Sequence, residues 1–310
     1  MLAYKKNEFW GMKLMEVTVP KVSVCVITYN QARYIKKCIE SLIDQDCDFN
    51  YEIVVSDDCS TDNTKEILEE LYQKHPTKLR IFIHERNLGI TKNYLFLHEQ
   101  ARGEYIAHVD GDDYYFSNKL RLQAQYLDEN KECNIVWHPM LLDDNTHVFN
   151  GYQQSGTKFV DLKFTQGDII QYISVGKNSS KMYRKSVRDI EIPAFDLVDY
   201  LVNVEQVQKG YGGYASNEPL GVYRIGIGVS SSGDKTRIAL RDTFLYLIKK
   251  YPKYRLEINT AALTYFLRDT LAKRKSAKIF LDVWIKTFHP FSVIKLLKGM
   301  STINKLKYRA

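Results

Sequence analysis

Within the first 113 residues, short runs of strand-forming residues alternate with segments of helical spacing, and each run ends in polar or acidic side chains. Lys21 to Thr28, rich in Val and Ile and preceded by Pro20, reads as a buried strand. Tyr29-Asn30-Gln31 leads into a helix on which Tyr34, Ile35, Cys38, Ile39 and Leu42 recur at helical spacing. Tyr51 to Ser56 is a second strand, ended by Asp57-Asp58-Cys59-Ser60-Thr61-Asp62. The helix after it carries Ile67, Leu68, Leu71 and Tyr72 on one face, with Thr61 or Asp62 as its cap. Leu79 to His84 is a third strand, Asn87-Leu88-Gly89 turns into a helix ending near Gly103, and Tyr105 to Val109 is a fourth strand. This order predicts an α/β fold with a mostly parallel sheet and right-handed crossovers. In such a sheet the loops after the strands share one edge, where ligands bind. Asn30, Asp57, Asp58, Asn87 and the acids that follow the fourth strand converge there.

The last of these loops is the most acidic. Ile106-Ala107-His108-Val109-Asp110-Gly111-Asp112-Asp113 ends a strand in three carboxylates. Carboxylates so close repel one another unless a cation lies between them, and a hard divalent ion that also holds nucleotide phosphates suits the place. A solvated acidic loop would have the same composition. The first strand-to-helix turn has no glycine, which excludes the G-x-G-x-x-G dinucleotide fingerprint, and no G-x-x-x-x-G-K-[ST] loop is present.

The chain has 310 residues, 45% hydrophobic and 26% charged, ordinary for a globular protein. No stretch approaches the roughly 20 apolar residues of a spanning helix, and Met1 to Met15 has no apolar core of a secretory signal. Five cysteines without a C-x-x-C pair, two of them (Cys25 and Cys38) on core faces, predict reduced thiols and a cytoplasmic location. The net charge of +7 is uneven: Lys273 to Ala310 holds ten Lys or Arg and one acid, Asp282, leaving the rest at −2. That distribution argues against a nucleic-acid-binding core. In the tail, Ile279, Phe280, Val283, Trp284 and Phe288, then Phe291, Val293, Ile294, Leu296 and Leu297, interleave with basic residues. Two readings stand: a peripheral segment on an anionic membrane, or terminal helices packed on the catalytic domain with a solvated basic face.

Four stretches, VSVCVITYNQARYIKKCIESLIDQ, EIVVSDDCSTDNT, RNLGITKN and GEYIAHVDGDD, stand in order over residues 21 to about 138. Together they resemble glycosyltransferase family 2, the inverting enzymes with the GT-A fold. A weaker stretch, Asp199 to Gly226, is similar to that family's acceptor-side segment. The resemblance implies a GT-A catalytic domain over 21–232, with a nucleotide-sugar half at 21–138 and an acceptor half at 139–232. It is preceded by an extension at 1–20 and followed by a mainly helical, basic region at 233–310. It implies that Thr28, Asn30, Asp57, Asp58, Asn87, Gly89, Lys92, Asp110 and Gly111 line the nucleotide sugar. Asp112, with Asp110, would hold Mn²⁺ or Mg²⁺. Turn and cap chemistry would equally account for Asp58, Ser60 and Asp62.

The resemblance also implies a general base on the acceptor side. Asp199, ahead of Gly210-Tyr211-Gly212-Gly213-Tyr214, is the candidate, and Asp196 competes with it. An Asp at a helix start is commonly just a cap. Many members carry a His after the position of Arg224. This chain runs Ile225-Gly226-Ile227-Gly228-Val229-Ser230 instead, so Arg224 is the candidate to meet phosphate. The hydroxyls of Ser230 to Ser232 suit a loop closing over the donor.

The implied activity is transfer of a sugar from a nucleotide sugar, UDP-linked above all, to a hydroxyl of a glycan or lipid-linked acceptor, in bacterial surface-polysaccharide synthesis. Two alternatives are a non-catalytic sugar-nucleotide binder or assembly protein, and a nucleotidyltransferase. The second would need a basic phosphate loop, which Thr28-Tyr29-Asn30-Gln31 does not offer.

Overall fold

A computed structural model describes residues 19–152, 156–226 and 234–307 of the chain. β1 (Val22–Thr28), α1 (Ile35–Ile43), β2 (Tyr51–Asp57), α2 (Thr64–Lys74), β3 (Leu79–Ile83), α3 (Ile90–Glu99) and β4 (Tyr105–Asp110) alternate as the sequence pattern requires. β1 pairs in parallel with β2 and β4, and β2 with β3. The register sets Thr28 opposite Asp57 and Ile27 opposite Asp110, so the polar strand ends lie at one edge. Period-two alternation buries both faces. Val22, Val24 and Val26 join a core with α1 and α2, while Cys25 joins the opposite one with Leu97 of α3. Cys25 and Cys38 are buried free thiols, as expected.

Details of the local reading change. The first described residue of α2 is preceded by Asn63, and Asp62 accepts from the Thr64 N–H at 3.0 Å without being the cap itself. Tyr72 is 39% exposed, because it falls off the face that carries Leu68 and Leu71. α3 stops at Glu99, four residues short of Gly103. Gly103 sits instead against the backbone of β1, where a Cβ would meet Ser23 N at 2.5 Å.

The chain continues through β5 (Tyr114–Tyr115), α4 (Lys119–Glu129), β6 (Cys133–Trp137), β7 (Leu141–Asp143), β8 (Val148–Phe149), α5 (Gln166–Tyr172), β9 (Met182–Arg184), α6 (Asp199–Val207), β10 (Tyr211–Tyr214) and β11 (Gly221–Arg224). The main sheet has seven strands in the order β10-β6-β9-β4-β1-β2-β3, with β9 antiparallel to β4 and β6. It is mixed but mostly parallel. A second sheet, β5-β11-β7-β8, was not expected from sequence, since its strands are short and carry no alternation. It ties the segment after the acidic loop to Arg224.

α7 (Asp234–Lys250), α8 (Arg255–Leu271), α9 (Ala277–Lys286) and α10 (Ser292–Leu306) follow. Phe244, Ile258, Ala261 and Phe280 join the core on the α3 side of the sheet. The basic region is therefore packed against the sheet. Asp269 fastens these helices: it is buried, with Arg237 Nε at 2.8 Å and Nη2 at 3.2 Å, and Ser276 and Arg274 also donate to it. Burial acts to raise its pKa, but these hydrogen bonds, Arg237 first, outweigh it and hold the carboxyl below 3.8. Asp269→Ala is expected to cost about 3–5 kcal/mol, since it leaves Arg237 without this carboxylate. Urea unfolding midpoints check it. The depressed folded value also fixes a sign: this contribution is complete above the unfolded pKa and is lost as pH falls through the folded one. The variant's deficit should shrink in that acid range.

Candidate active site

The period of two that builds β4 also puts His108 and Asp110 on one face of it. His108 Nε2 lies 3.1 Å from Asp110 Oδ1, His108 Nδ1 lies 2.9 Å from His98 Nε2, and His98 Nδ1 lies 2.6 Å from the Tyr183 hydroxyl. Burial pushes His98 well below its ordinary pKa, so it is neutral and has one donor and one acceptor. An ionised Asp110 only accepts. When His108 is neutral the chain has one direction: Tyr183 donates to His98, His98 to His108, and His108 to Asp110. Ser179 completes the grip, accepting from the Asp110 N–H at 3.0 Å and donating to Oδ2 at 3.3 Å.

Asp112 lies two residues on and is 6% exposed. Burial, then the charge of Asp110, raises its pKa to about 6, against a hydrogen bond from Gln31. Gly111 packs tightly: a Cβ there would stand 2.5 Å from Gln31 Oε1, which would have to move, and 3.1 Å from Thr28 Cβ. Asp113 is fully buried, its pKa is raised by desolvation and by Asp112, and it accepts from the Arg224 N–H at 2.8 Å. Arg224 bonds Asp143 Oδ2 at 3.2 Å and the Asp112 carbonyl, with its guanidinium 4.7 Å from the Tyr34 ring centre. It braces the acidic loop from the second sheet.

The preceding loops are laced together. Asn30, at φ 52°, accepts from Thr61 N–H at 2.7 Å, and its own N–H donates to Ser60 Oγ at 2.8 Å. Asp57 accepts from Ser60, and burial raises its pKa. Asp58 accepts from the N–H groups of Leu88 (2.7 Å) and Gly89 (3.0 Å), while the Asn87 amide donates to the Asp58 carbonyl. The turn chemistry weighed for Asp58, Ser60 and Asp62 is thus present and also embraces Asn30 and Asp57. Thr28 Oγ1 is buried without a hydrogen-bond partner, and Lys92 is exposed in the first turn of α3.

Two recesses adjoin β4 and share Asp110, Asn178 and Asp199. One runs beside Ile27, Thr91, Tyr94 and His108. The other, about 240 Å³, is lined by Lys177, Asn203, Tyr214 and Tyr223 among others. Asp199 opens α6 and keeps surface toward these recesses although protein surrounds it. Desolvation, then Asp110, raises its pKa against Lys181 and His108. Lys181 is buried, 3.3 Å from Asn203 Oδ1 and 3.4 Å from the Tyr94 hydroxyl. Burial lowers its pKa to about 8, opposed by Asp199 and Asp110. A cation thus sits behind both carboxylates. Asp196 is exposed and lines neither recess. The loop at Ser230 to Ser232 and most of the 1–20 extension lie outside the described residues.

Sequence reasoning missed His108, Ser179, Lys181 and Tyr223. Strand alternation could have found His108. Ser179 was visible only as part of an Asn-Ser-Ser sequon, a pattern that points elsewhere.

Among the described residues no three His, Cys, Asp or Glu side chains form a metal-binding group. The acidic loop offers less than a full cage: two carboxylates, one with a pKa raised in part by the other. Hydrogen bonds from Arg224 go to backbone and to Asp143, not to the Asp110 or Asp112 carboxylates. Arg224 opposes the raised pKa of Asp112 only at a distance, so the two carboxylates keep room for a divalent cation completed by phosphate oxygens.

Residues 23–187 match the model of the family described as Glycosyl transferase family 2. The putative teichuronic acid biosynthesis glycosyltransferase TuaG of Bacillus subtilis is 30% identical over 241 residues, 73% of this chain and 87% of that protein. An uncharacterized Mycobacterium tuberculosis protein, Rv1520, is 35% identical over 120 residues, where this chain spans 35% of its length. The crystal structure of Staphylococcus aureus TarS 1-349 in complex with UDP-GlcNAc superposes with a TM-score of 0.65, covering 92% of this chain and 90% of that one at 20% identity. The similarity in fold is to a GT-A glycosyltransferase.

Proposed function

The chain belongs to glycosyltransferase family 2, and we propose that it transfers a sugar from a nucleotide diphosphate sugar, a UDP-sugar first, to a hydroxyl of a surface glycan or its lipid-linked precursor. The observation that carries this reading is the meeting of Asp110 and Asp199 across two adjoining recesses at the carboxyl edge of the sheet. TarS supports the donor class, since its structure holds UDP-GlcNAc. TuaG supports the acceptor class by its name.

In this reading the nucleotide lies along the β1, β2 and β3 loops, where Asp57, Asp58 and the Asn87–Gly89 turn fix the floor. Asp110, aimed by His108 and Ser179, orients the sugar. Asp112 and Asp110 would hold a divalent cation, which when bound neutralises the departing diphosphate. Asp199 accepts the proton of the acceptor hydroxyl as its oxygen bonds to the anomeric carbon and the carbon–diphosphate bond breaks. One displacement inverts the anomeric configuration. Lys181 opposes the rise in the pKa of Asp199 from behind the recess. Arg224 acts as a strut for the acidic loop through Nε to Asp143 and Nη1 to the Asp112 carbonyl.

The test is release of nucleoside diphosphate from a panel of UDP-, dTDP- and GDP-sugars, with Mn²⁺, Mg²⁺ or EDTA. Cation-dependent release from one donor is the expected result. Absence of both release and donor binding by calorimetry would sink the transferase reading.

A further inference from the structure

The inner face of α10 is well seated. Ser292, Leu296, Gly299 and Leu306 are buried, and a Cβ on Gly299 would stand 2.7 Å from Gln171 Nε2 and 3.1 Å from the Tyr172 ring. Its outer face is another matter. Leu297 is 68% exposed, Ile294 50% and Met300 37%, all at helical spacing on one side. Ile285 and Phe288 at the end of α9 and Phe291 at the turn add 61%, 54% and 59%. So many large apolar side chains left exposed within one short segment mark an interaction surface. The helices are held by their opposite faces, so this is not a frayed end.

Charge selects the occupant. The segment from Lys273 on carries +9 and the rest of the chain −2. Its one acid, Asp282, is paired with Lys286 at 2.7 Å. Arg274 and Lys295 pair with Asp269 and Glu257 of α8, but the remaining basic residues of the segment still outnumber its one acid, so a second copy docking through it would set like charge against like. An anionic lipid surface takes both features together, accepting apolar side chains below its headgroups and lysines among them. No helix among the described residues is long and apolar enough to cross a membrane.

We propose that the outer face of α9 and α10, with Ile285, Phe288, Phe291, Ile294, Leu297 and Met300 at its centre, docks in the plane of an anionic bilayer. The far end of α10 bears on the proposed reaction. Leu306 walls the 240 Å³ recess that Asp199 also lines, and α10 spans 15 residues, or about 22 Å. Docking through this face therefore keeps the acceptor-side recess within one helix length of the lipid surface, which suits an acceptor anchored in that bilayer. This last step rests on the glycosyltransferase reading; the docking surface itself does not.

The experiment is co-sedimentation of the full chain with phosphatidylcholine vesicles and with vesicles of equal parts phosphatidylcholine and phosphatidylglycerol. Nucleoside diphosphate release is read on the same samples. Expected is binding to the anionic vesicles that weakens about tenfold or more in high salt. A Phe291→Ser/Leu297→Ser variant should lose it at least tenfold. Both positions are exposed, so folding and donor turnover should be unchanged; Leu297→Ser alone is a second variant expected to weaken binding in part. Turnover without vesicle binding overturns the docking and leaves the transferase reading standing. Binding that the substitutions do not alter also overturns it, as does a dimer in size-exclusion chromatography that they abolish. Vesicle binding without turnover supports the docking and counts against the transferase reading alone.

Discussion

Asp199→Asn is expected to lower turnover by about 10²–10⁴-fold, the usual worth of a positioned general base, while leaving donor affinity within a few-fold of the wild type. The amide keeps the size and most of the polarity of the carboxyl but cannot accept the proton. The competing role is purely structural. Asp199 opens α6, and a first-turn carboxylate interacts with the helix dipole for about 0.3–1 kcal/mol. Losing that much would shift the unfolding midpoint slightly and could not account for a hundredfold loss in rate. The two roles therefore separate on different readouts, kcat and thermal unfolding. Asp196→Asn supplies the control. It lies on the exposed segment before α6 and lines neither recess, so it should retain activity. If Asp196→Asn falls and Asp199→Asn does not, the assignment of the base reverses.

The stretch from β1 to β4 was legible because its strands and helices obey simple periods. Val22, Val24 and Val26 alternate against Cys25, and Ile35, Cys38, Ile39 and Leu42 repeat with a helical spacing. The core clusters reproduce both patterns. The stretch after α4 hides its strands. β10 is Tyr211-Gly212-Gly213-Tyr214, which reads as a loop, since glycine is depleted in strands. The reason lies in tertiary packing: a Cβ on Gly212 would stand 2.4 Å from the Trp137 ring, and one on Gly213 would stand 2.6 Å from the Tyr126 hydroxyl. Neither partner is a sequence neighbour.

The site shows a different limit. Sequence could place Asn30 and Asp58 at the right edge of the sheet and single out Arg224, but not find their partners. Each engages another loop or the second sheet. A polar side chain at a strand end serves equally to hold a loop or a ligand, and composition is the same in both cases. Lys181 is harder still. It stands 69 residues after Asp112 in sequence and meets the site only through β9, the one strand of the main sheet antiparallel to its neighbours.

Asp112→Asn tests the cation directly. It is expected to reduce turnover by about 10²–10³-fold, the scale of removing one preorganised electrostatic stabiliser of a departing charge, and EDTA should do the same to the wild type. The decisive feature is non-additivity. If the carboxylate acts through a bound cation, EDTA applied to Asp112→Asn should change little further, because the two perturbations remove one interaction. If Asp112 acts only as a structural member of the loop, EDTA should still cost the variant its full factor. The structure makes the substitution mild for the fold. Asp112 is buried beside Asp110 with its pKa raised to about 6, so its charge already carries a desolvation and repulsion cost that a neutral amide lacks. The variant should therefore unfold at least as late as the wild type in the absence of metal. With Mn²⁺ and UDP present the order should invert, since the wild type then gains binding energy that the variant cannot. A change of sign between the two conditions, read by thermal unfolding, reports the cation without any need for an identified acceptor. If the variant is destabilised in metal-free buffer, then Asp112 holds the loop in its own right, and the cation would have to be sought at Asp110 alone.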